Sequence, residues 1–171
     1  AVLMGTLLEL EGASITLVAT DGYRLAKWTG TLDRPFEGAA KYIVPSRALA
    51  EAARNLGTAE MLEATALGAQ ANQLMFTAGT TSIVVRLVDG QYPNYGQVIP
   101  AKFDRSVTVN TSALIGGLRR AELVAGDRAS MVKLEVANNT LMITAKSDVT
   151  GNAYEELEVE QTGDDLTIAF T

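Results

Sequence analysis

Apolar and polar residues alternate in short bursts along this chain, and the bursts predict many strands and few helices. Leu7–Leu10 and Ile15–Ala19 are extended segments flanking Glu11-Gly12-Ala13-Ser14, which reads as a hairpin turn. Tyr42-Ile43-Val44 is a short β-branched run that ends at Pro45. There the period changes from two to 3.6. Ser46 is the expected N-cap, and Ala48, Leu49, Ala52, Ala53 and Leu56 form one apolar stripe, with Gly57 as the stop. Strands are predicted at Met61–Ala66, Gln73–Thr77 and Ile83–Leu87, followed by the turn-rich Asp89–Gly96 with its two tyrosines.

From Val107 the pattern starts again. Val107–Val109 is a strand, Asn110 or Thr111 a cap, and Ala113, Leu114, Gly117, Leu118 and Ala121 repeat the first stripe 65 residues on. The strand Asn72-Gln-Leu-Met-Phe-Thr-Ala78 likewise returns as Asn139-Thr-Leu-Met-Ile-Thr-Ala145, and Leu8-Glu-Leu10 is echoed by Leu134-Glu-Val136. An internal duplication of strand–helix–strand units follows. The expected class is α+β, each unit laying one helix on one face of an antiparallel sheet, with neighbouring units extending the sheet. Ala and Gly in the stripes let the helices lie close to the strands. Their outer faces carry Arg47, Arg54, Arg119 and Arg120, the first two sharing a face seven residues apart.

Composition narrows the chemistry. The 171 residues are 47% hydrophobic and 20% charged, globular rather than disordered, with 20 acidic against 14 basic residues and a net charge of −6. Electrostatic capture of nucleic acid is therefore not the default reading. There is neither Cys nor His. Disulfides, thiol catalysis, a Ser-His-Asp triad and a His-ligated metal are excluded. The acidic neighbours Asp164-Asp165 follow Gly163 as a turn, Glu155-Glu156 is a second pair, and Glu158 and Glu160 alternate with Leu157 and Val159 as the solvated face of a strand. No phosphate-binding or nucleophile motif is present, so no catalytic residue, metal site or cofactor is expected. No apolar run approaches the roughly 18–20 residues that span a bilayer, and no basic region marks the start as a signal peptide. The chain opens in an extended segment and stops in another, as a fragment cut at both ends would.

One segment offers binding chemistry. Leu17-Val-Ala-Thr20-Asp21-Gly22-Tyr23-Arg24-Leu25-Ala26 ends a strand in a tight turn and displays Tyr23 and Arg24 close to Trp28, residue types common in interface hot spots. Val18–Ala26, then Val44-Pro-Ser-Arg47 opening a helix, then Arg86-Leu-Val-Asp-Gly-Gln-Tyr-Pro-Asn-Tyr95 running to Val98-Ile-Pro100, resemble the β sliding clamp family of bacterial DNA polymerase III. The resemblance covers essentially the whole chain. It implies that residues 1–103 are a middle clamp domain lacking its first strand and helix, and 104–171 the first half of a third domain.

The resemblance further implies a non-catalytic, cytoplasmic processivity factor, a homodimeric ring when full length, that encircles duplex DNA without reading its sequence. Arg47, Arg54, Arg119 and Arg120 would face DNA, and the acidic stretch Glu155–Glu160 would point outward. It also implies a pocket for short linear motifs with Leu and Phe anchors, carried by the polymerase III alpha subunit, the clamp loader and repair polymerases. The matching positions are Leu3, Thr20, Gly22, Tyr23, Arg24, Leu25, Pro93, Gln97 and Val98. Leu3, Leu25, Pro93 and Val98 would be apolar wall, Thr20 and Gly22 the floor, Arg24 a cap at the mouth and Gln97 the rim. The competing reading is a β-rich, non-catalytic interaction or adhesion module.

Overall fold

The structure is a computed structural model that describes residues 2–56, 58–68, 70–125, 131–147 and 149–170. It divides into two units, Ala1–Tyr95 and Gly96–Thr171. The boundary expected from sequence lies further on, at 103/104; Tyr92 and Tyr95 pack into the apolar interior of the first unit.

In the first unit a 3-10 turn, Val2–Met4, leads into the long strand β1 (Gly5–Thr20), which pairs antiparallel with β2 (Leu25–Pro45). The expected hairpin at 11–14 is absent. Instead β1 runs through, with register shifts at Gly12 (φ 54°), and the chain reverses at Asp21–Arg24. The irregularity explains the misreading. Leu8 and Leu10 face the same core as Ile15 and Leu17, which requires the in/out alternation to change phase between them. Helix α1 (Ser46–Leu56) follows, then β3 (Glu63–Leu67), β4 (Gln73–Ala78) and β5 (Thr81–Arg86), an antiparallel sheet with β4 in the middle. Ser46 opens the helix, but its hydroxyl bonds Thr6 Oγ1 (3.0 Å). Ala53 is exposed, so the stripe narrows to Ala48, Leu49, Ala52 and Leu56, packed over Leu8, Val44, Leu74 and Phe76. The Gly57 stop lies outside the described residues.

The second unit holds β6 (Ser106–Thr108), α2 (Thr111–Ala125), β7 (Val132–Ala137), β8 (Thr140–Ser147), β9 (Gly151–Glu158), β10 (Glu160–Thr162) and β11 (Leu166–Phe170). Asn110 is the cap: its Oδ1 accepts the Ala113 N–H at 3.0 Å. The β7–β8 turn uses Asn138 and Asn139, both at positive φ (52° and 59°), the geometry that suits a two-residue hairpin. Four strands run in the order β11-β7-β8-β9, all antiparallel, with β6 and β10 paired beside them. Ala121 and Ala125 of α2 join Leu141, Ile143 and Val159 in the core.

The duplicated motif has a duplicated burial. Leu74 and Phe76 in the first copy are buried, as are Leu141 and Ile143 in the second, each pair under its own helix. Among the described residues the strands form four antiparallel sheets, not one unbroken sheet.

Candidate functional site

The Asp21–Arg24 turn is built by side chains bonding their own backbone. Asp21 Oδ1 accepts the N–H groups of Tyr23 (3.0 Å) and Arg24 (2.9 Å), and Oδ2 accepts Arg24 Nε at 3.0 Å. The backbone N–H of Arg24, then that of Tyr23, holds the Asp21 carboxyl below its ordinary value. Thr20 closes the other side: its hydroxyl donates to the Arg24 carbonyl (2.8 Å) and accepts the Gly22 N–H (3.1 Å). Gly22, at φ 90°, makes the reversal possible. Thr20, Gly22 and Arg24 are thus one rigid unit at the end of the β1–β2 pair.

Leu25 leaves this turn and packs on a small apolar cluster of Leu7, Val18 and Ile43, joined by Val2, Val88, Tyr92 and Tyr95. Leu7 and Leu8 are both buried, on opposite faces of β1. The strand therefore serves two interiors: one under α1, one under the Tyr92–Tyr95 segment. On this second face a cavity of about 440 Å3 opens, lined by Leu7, Ile43 and Pro93 on its apolar side and by Glu9, Lys41 and Tyr95 among its polar groups.

Of the expected pocket residues, the structure brings Thr20, Gly22, Arg24 and Leu25 to one corner, with Leu25 packed on Leu7, Val18 and Ile43, while Pro93 is the one member of the set that lines the cavity beside Leu7 and Ile43. Leu3 sits in the Val2–Met4 3-10 turn and is exposed. Tyr23 is 99% exposed and touches none of that cluster. Gln97 and Val98 belong to the second unit, and both are exposed there.

Sequence reasoning overlooked Glu9 and Tyr95. Tyr95 Oη donates to Glu9 Oε2, while Lys41 Nζ bonds Glu9 Oε1 at 2.6 Å. Burial by itself would raise the Glu9 carboxyl, but the hydrogen bonds from Lys41 and Tyr95 and the charges of Lys41 and Lys27 hold it below its ordinary value. The same bond to Glu9, with burial, pushes the Tyr95 phenol up to about 12. The only sequence signal was a polar Glu9 between apolar Leu8 and Leu10.

The four arginines divide. Arg54 pairs with Glu51 one turn earlier on α1, and Arg120 forks onto Glu155 of β9. Arg47 and Arg119 are exposed and form no ion pair among the described residues. This corrects the outward acidic stretch: Glu155 shares the helix side of β9 with Leu157, and it is Glu156, Glu158 and Glu160 that are exposed. Among the described residues no cluster of acidic side chains could hold a metal, and no helix is long and apolar enough to cross a membrane.

Two family models match the chain. The central domain of the DNA polymerase III beta subunit matches residues 1–94, and its C-terminal domain residues 96–171. The beta sliding clamp of Synechococcus elongatus is 34% identical over 173 residues, covering 99% of this chain and 46% of its own length. That of Pseudomonas aeruginosa is 31% identical, covering 98% of this chain and 45% of its own. The solved DNA polymerase III subunit beta from P. aeruginosa superposes with a TM-score of 0.87 at 30% identity, covering 99% of this chain and 46% of its own. A P. aeruginosa sliding clamp bound to griselimycin gives 0.86, also at 30% identity, over 99% of this chain and 46% of its own. The chain spans about half the length of the curated relatives it matches. It belongs to the DNA polymerase III beta-subunit family, the beta sliding clamps.

Proposed function

We propose that this chain is part of a ring that encircles duplex DNA and tethers the replicative polymerase, the clamp loader and repair polymerases in the cytoplasm, without chemistry of its own. Family membership along the whole chain carries this reading, and it does not favour an adhesion module. In this reading residues 1–103 are a middle domain without its first strand and helix, and 104–171 the first half of a third domain. The ring is a homodimer at full length. Retention by topology reconciles a net charge of −6 with DNA: a closed ring needs only a few cations near phosphate, and strong contacts would hinder sliding.

The partner motif binds at the corner formed by Thr20, Gly22, Arg24 and Leu25, with Leu3 and Pro93 as further wall and Tyr23 on the outer lip. Apolar anchors of a short peptide suit such a surface, and the polar turn orients its backbone. The decisive experiment loads the protein, at its relatives' full length, onto circular and linearised duplex DNA. Retention on the circle and loss on linearisation is the expected result. Equal retention on both would reject encirclement.

A further inference from the structure

We propose that Glu9, which lies outside the expected pocket set, is a positioning residue for that pocket: through Tyr95 it fixes the segment Val88–Tyr95 and so the seat of Pro93. The inference rests on the peptide-binding reading above.

The segment has no regular structure of its own. Strand β5 ends at Arg86, and the next 3-10 turn begins only at Tyr95. Its near end is tied to β2 by the Val88 N–H donating to the Ile43 carbonyl at 2.8 Å. Its far end is tied by the Tyr95 hydroxyl on Glu9, a bond between residues 86 apart in sequence. Glu9 is itself immobilised, because its other oxygen is held by Lys41, its direct cross-strand partner on β2. The Lys27 ammonium stands 5.7 Å from the centre of the Tyr95 ring and adds a cation–π contact. Pro93 lies between these two ties. Without the far one, the segment is held there only by the packing of Tyr92 and Tyr95 and the weaker contact of Lys27 with the Tyr95 ring, and an apolar wall that must be ordered on binding costs affinity. Glu9 need never touch the peptide: both its oxygens are spent on Tyr95 and Lys41. A hydrogen bond to a charged carboxylate is among the stronger ones available for this purpose.

The test measures binding of a fluorescein-labelled synthetic peptide with Leu and Phe anchors to the full-length protein, by anisotropy. Tyr95→Phe keeps the ring and drops the hydroxyl, and Kd should rise roughly three- to tenfold. Glu9→Leu should match it, and Glu9→Gln, which retains an acceptor for Tyr95, should stay within about twofold of the parent. The Glu9→Leu/Tyr95→Phe double variant should bind no worse than either single one, since both break the same link. Alkaline absorbance titration should show the Tyr95 phenol ionising above the ordinary 10.0 in the parent, a component lost in Tyr95→Phe and moved to lower pH in Glu9→Leu. Parent-like binding by Tyr95→Phe, or additive losses in the double variant, would overturn the proposal. Leu25→Ala, run in parallel, separates the two failures: if it weakens binding while Tyr95→Phe does not, only the role of Glu9 falls, and if neither weakens binding the pocket itself is misassigned.

Discussion

Arg120 reaches from α2 to β9 and grips both carboxylate oxygens of Glu155, Nε to Oε1 at 2.6 Å and Nη2 to Oε2 at 2.8 Å. The planar fork of the guanidinium matches the carboxylate, which makes this the strongest kind of surface pair. The bond to Arg120 holds the Glu155 carboxyl below its ordinary value and raises Arg120 in turn. A cation so engaged is a poor phosphate ligand, because DNA must compete with a bonded anion. Arg54, paired with Glu51, is in the same position. Arg47 and Arg119 have no such competitor among the described residues.

In the ring proposed above, DNA binding at full length should therefore respond unequally to the four arginines. Arg119→Ala should reduce the slope of log K against log salt by about 1, the loss of one phosphate contact, whereas Arg120→Ala should change it much less. Glu155→Gln should release Arg120 and tighten binding. Titrations of a duplex at several salt concentrations give these slopes. A larger effect from Arg120→Ala than from Arg119→Ala would reject the ranking.

Much of this was legible in the chain, and what was not has a physical reason. Helix α1, the Asn110 cap and the paired Asn72–Ala78 and Asn139–Ala145 strands depend on local periodicity, which sequence displays. The irregularity at Gly12 was misread because a phase change in alternation looks the same whether the chain turns back or merely shifts register. Glu155 shares the parity of Leu157 and Val159 and so belongs on the helix side of the strand; it was assigned outward because its partner there, Arg120, lies 35 residues away and no local spacing reveals it. The Glu9–Tyr95 bond joins a strand to a loop far along the chain, and no spacing rule reaches that distance. The Thr20–Arg24 turn stands out in the sequence because its Asp and Gly each have a single local role.

Leu25 is where the polar turn meets the apolar cluster of Leu7, Val18 and Ile43. Truncating it to Ala removes wall from the proposed peptide corner while leaving the Thr20–Arg24 hydrogen bonds in place. Calorimetry on the full-length protein should show peptide binding weakened by about 1–3 kcal/mol, the range for losing a buried anchor contact. An unchanged dissociation constant would place the peptide elsewhere.

The Glu9–Tyr95 link sets two pH limits. Tyr95 ionises near 12 in the fold against an ordinary 10.0, so its contribution is complete below 10 and disappears as pH rises from there toward 12. Glu9 is shifted the other way, below its ordinary 4.5. Its contribution is complete above that value and is lost as pH falls through the lowered one. Stability should thus be level across neutral pH and fall at both ends, and Tyr95→Phe should abolish the part of the alkaline fall that this phenol causes. Urea midpoints measured from pH 3 to 11.5 test it. An identical alkaline slope in Tyr95→Phe would show that the phenol is not linked to folding.

Two adjacent glycines in α2 should respond in opposite ways to added side chains. Gly117 is buried against the sheet: a Cβ there would lie 3.0 Å from Ile143 Cδ1, 3.8 Å from Glu155 Cβ and 3.9 Å from Leu157 Cδ1. Ile143 is fully buried and has little room to yield. Gly117→Leu should therefore force the helix off the strands and cost about 1–3 kcal/mol, the usual penalty for overpacking. At Gly116 a Cβ would meet only Arg120 Nη1, at 3.3 Å, the far end of a flexible side chain. Gly116→Ala should gain up to about 1 kcal/mol from helix propensity, less whatever is lost if Arg120 loosens its hold on Glu155. Urea unfolding followed by far-ultraviolet circular dichroism gives both numbers. If Gly117→Leu unfolds no earlier than the parent, α2 does not lie as closely on β8 and β9 as these distances require.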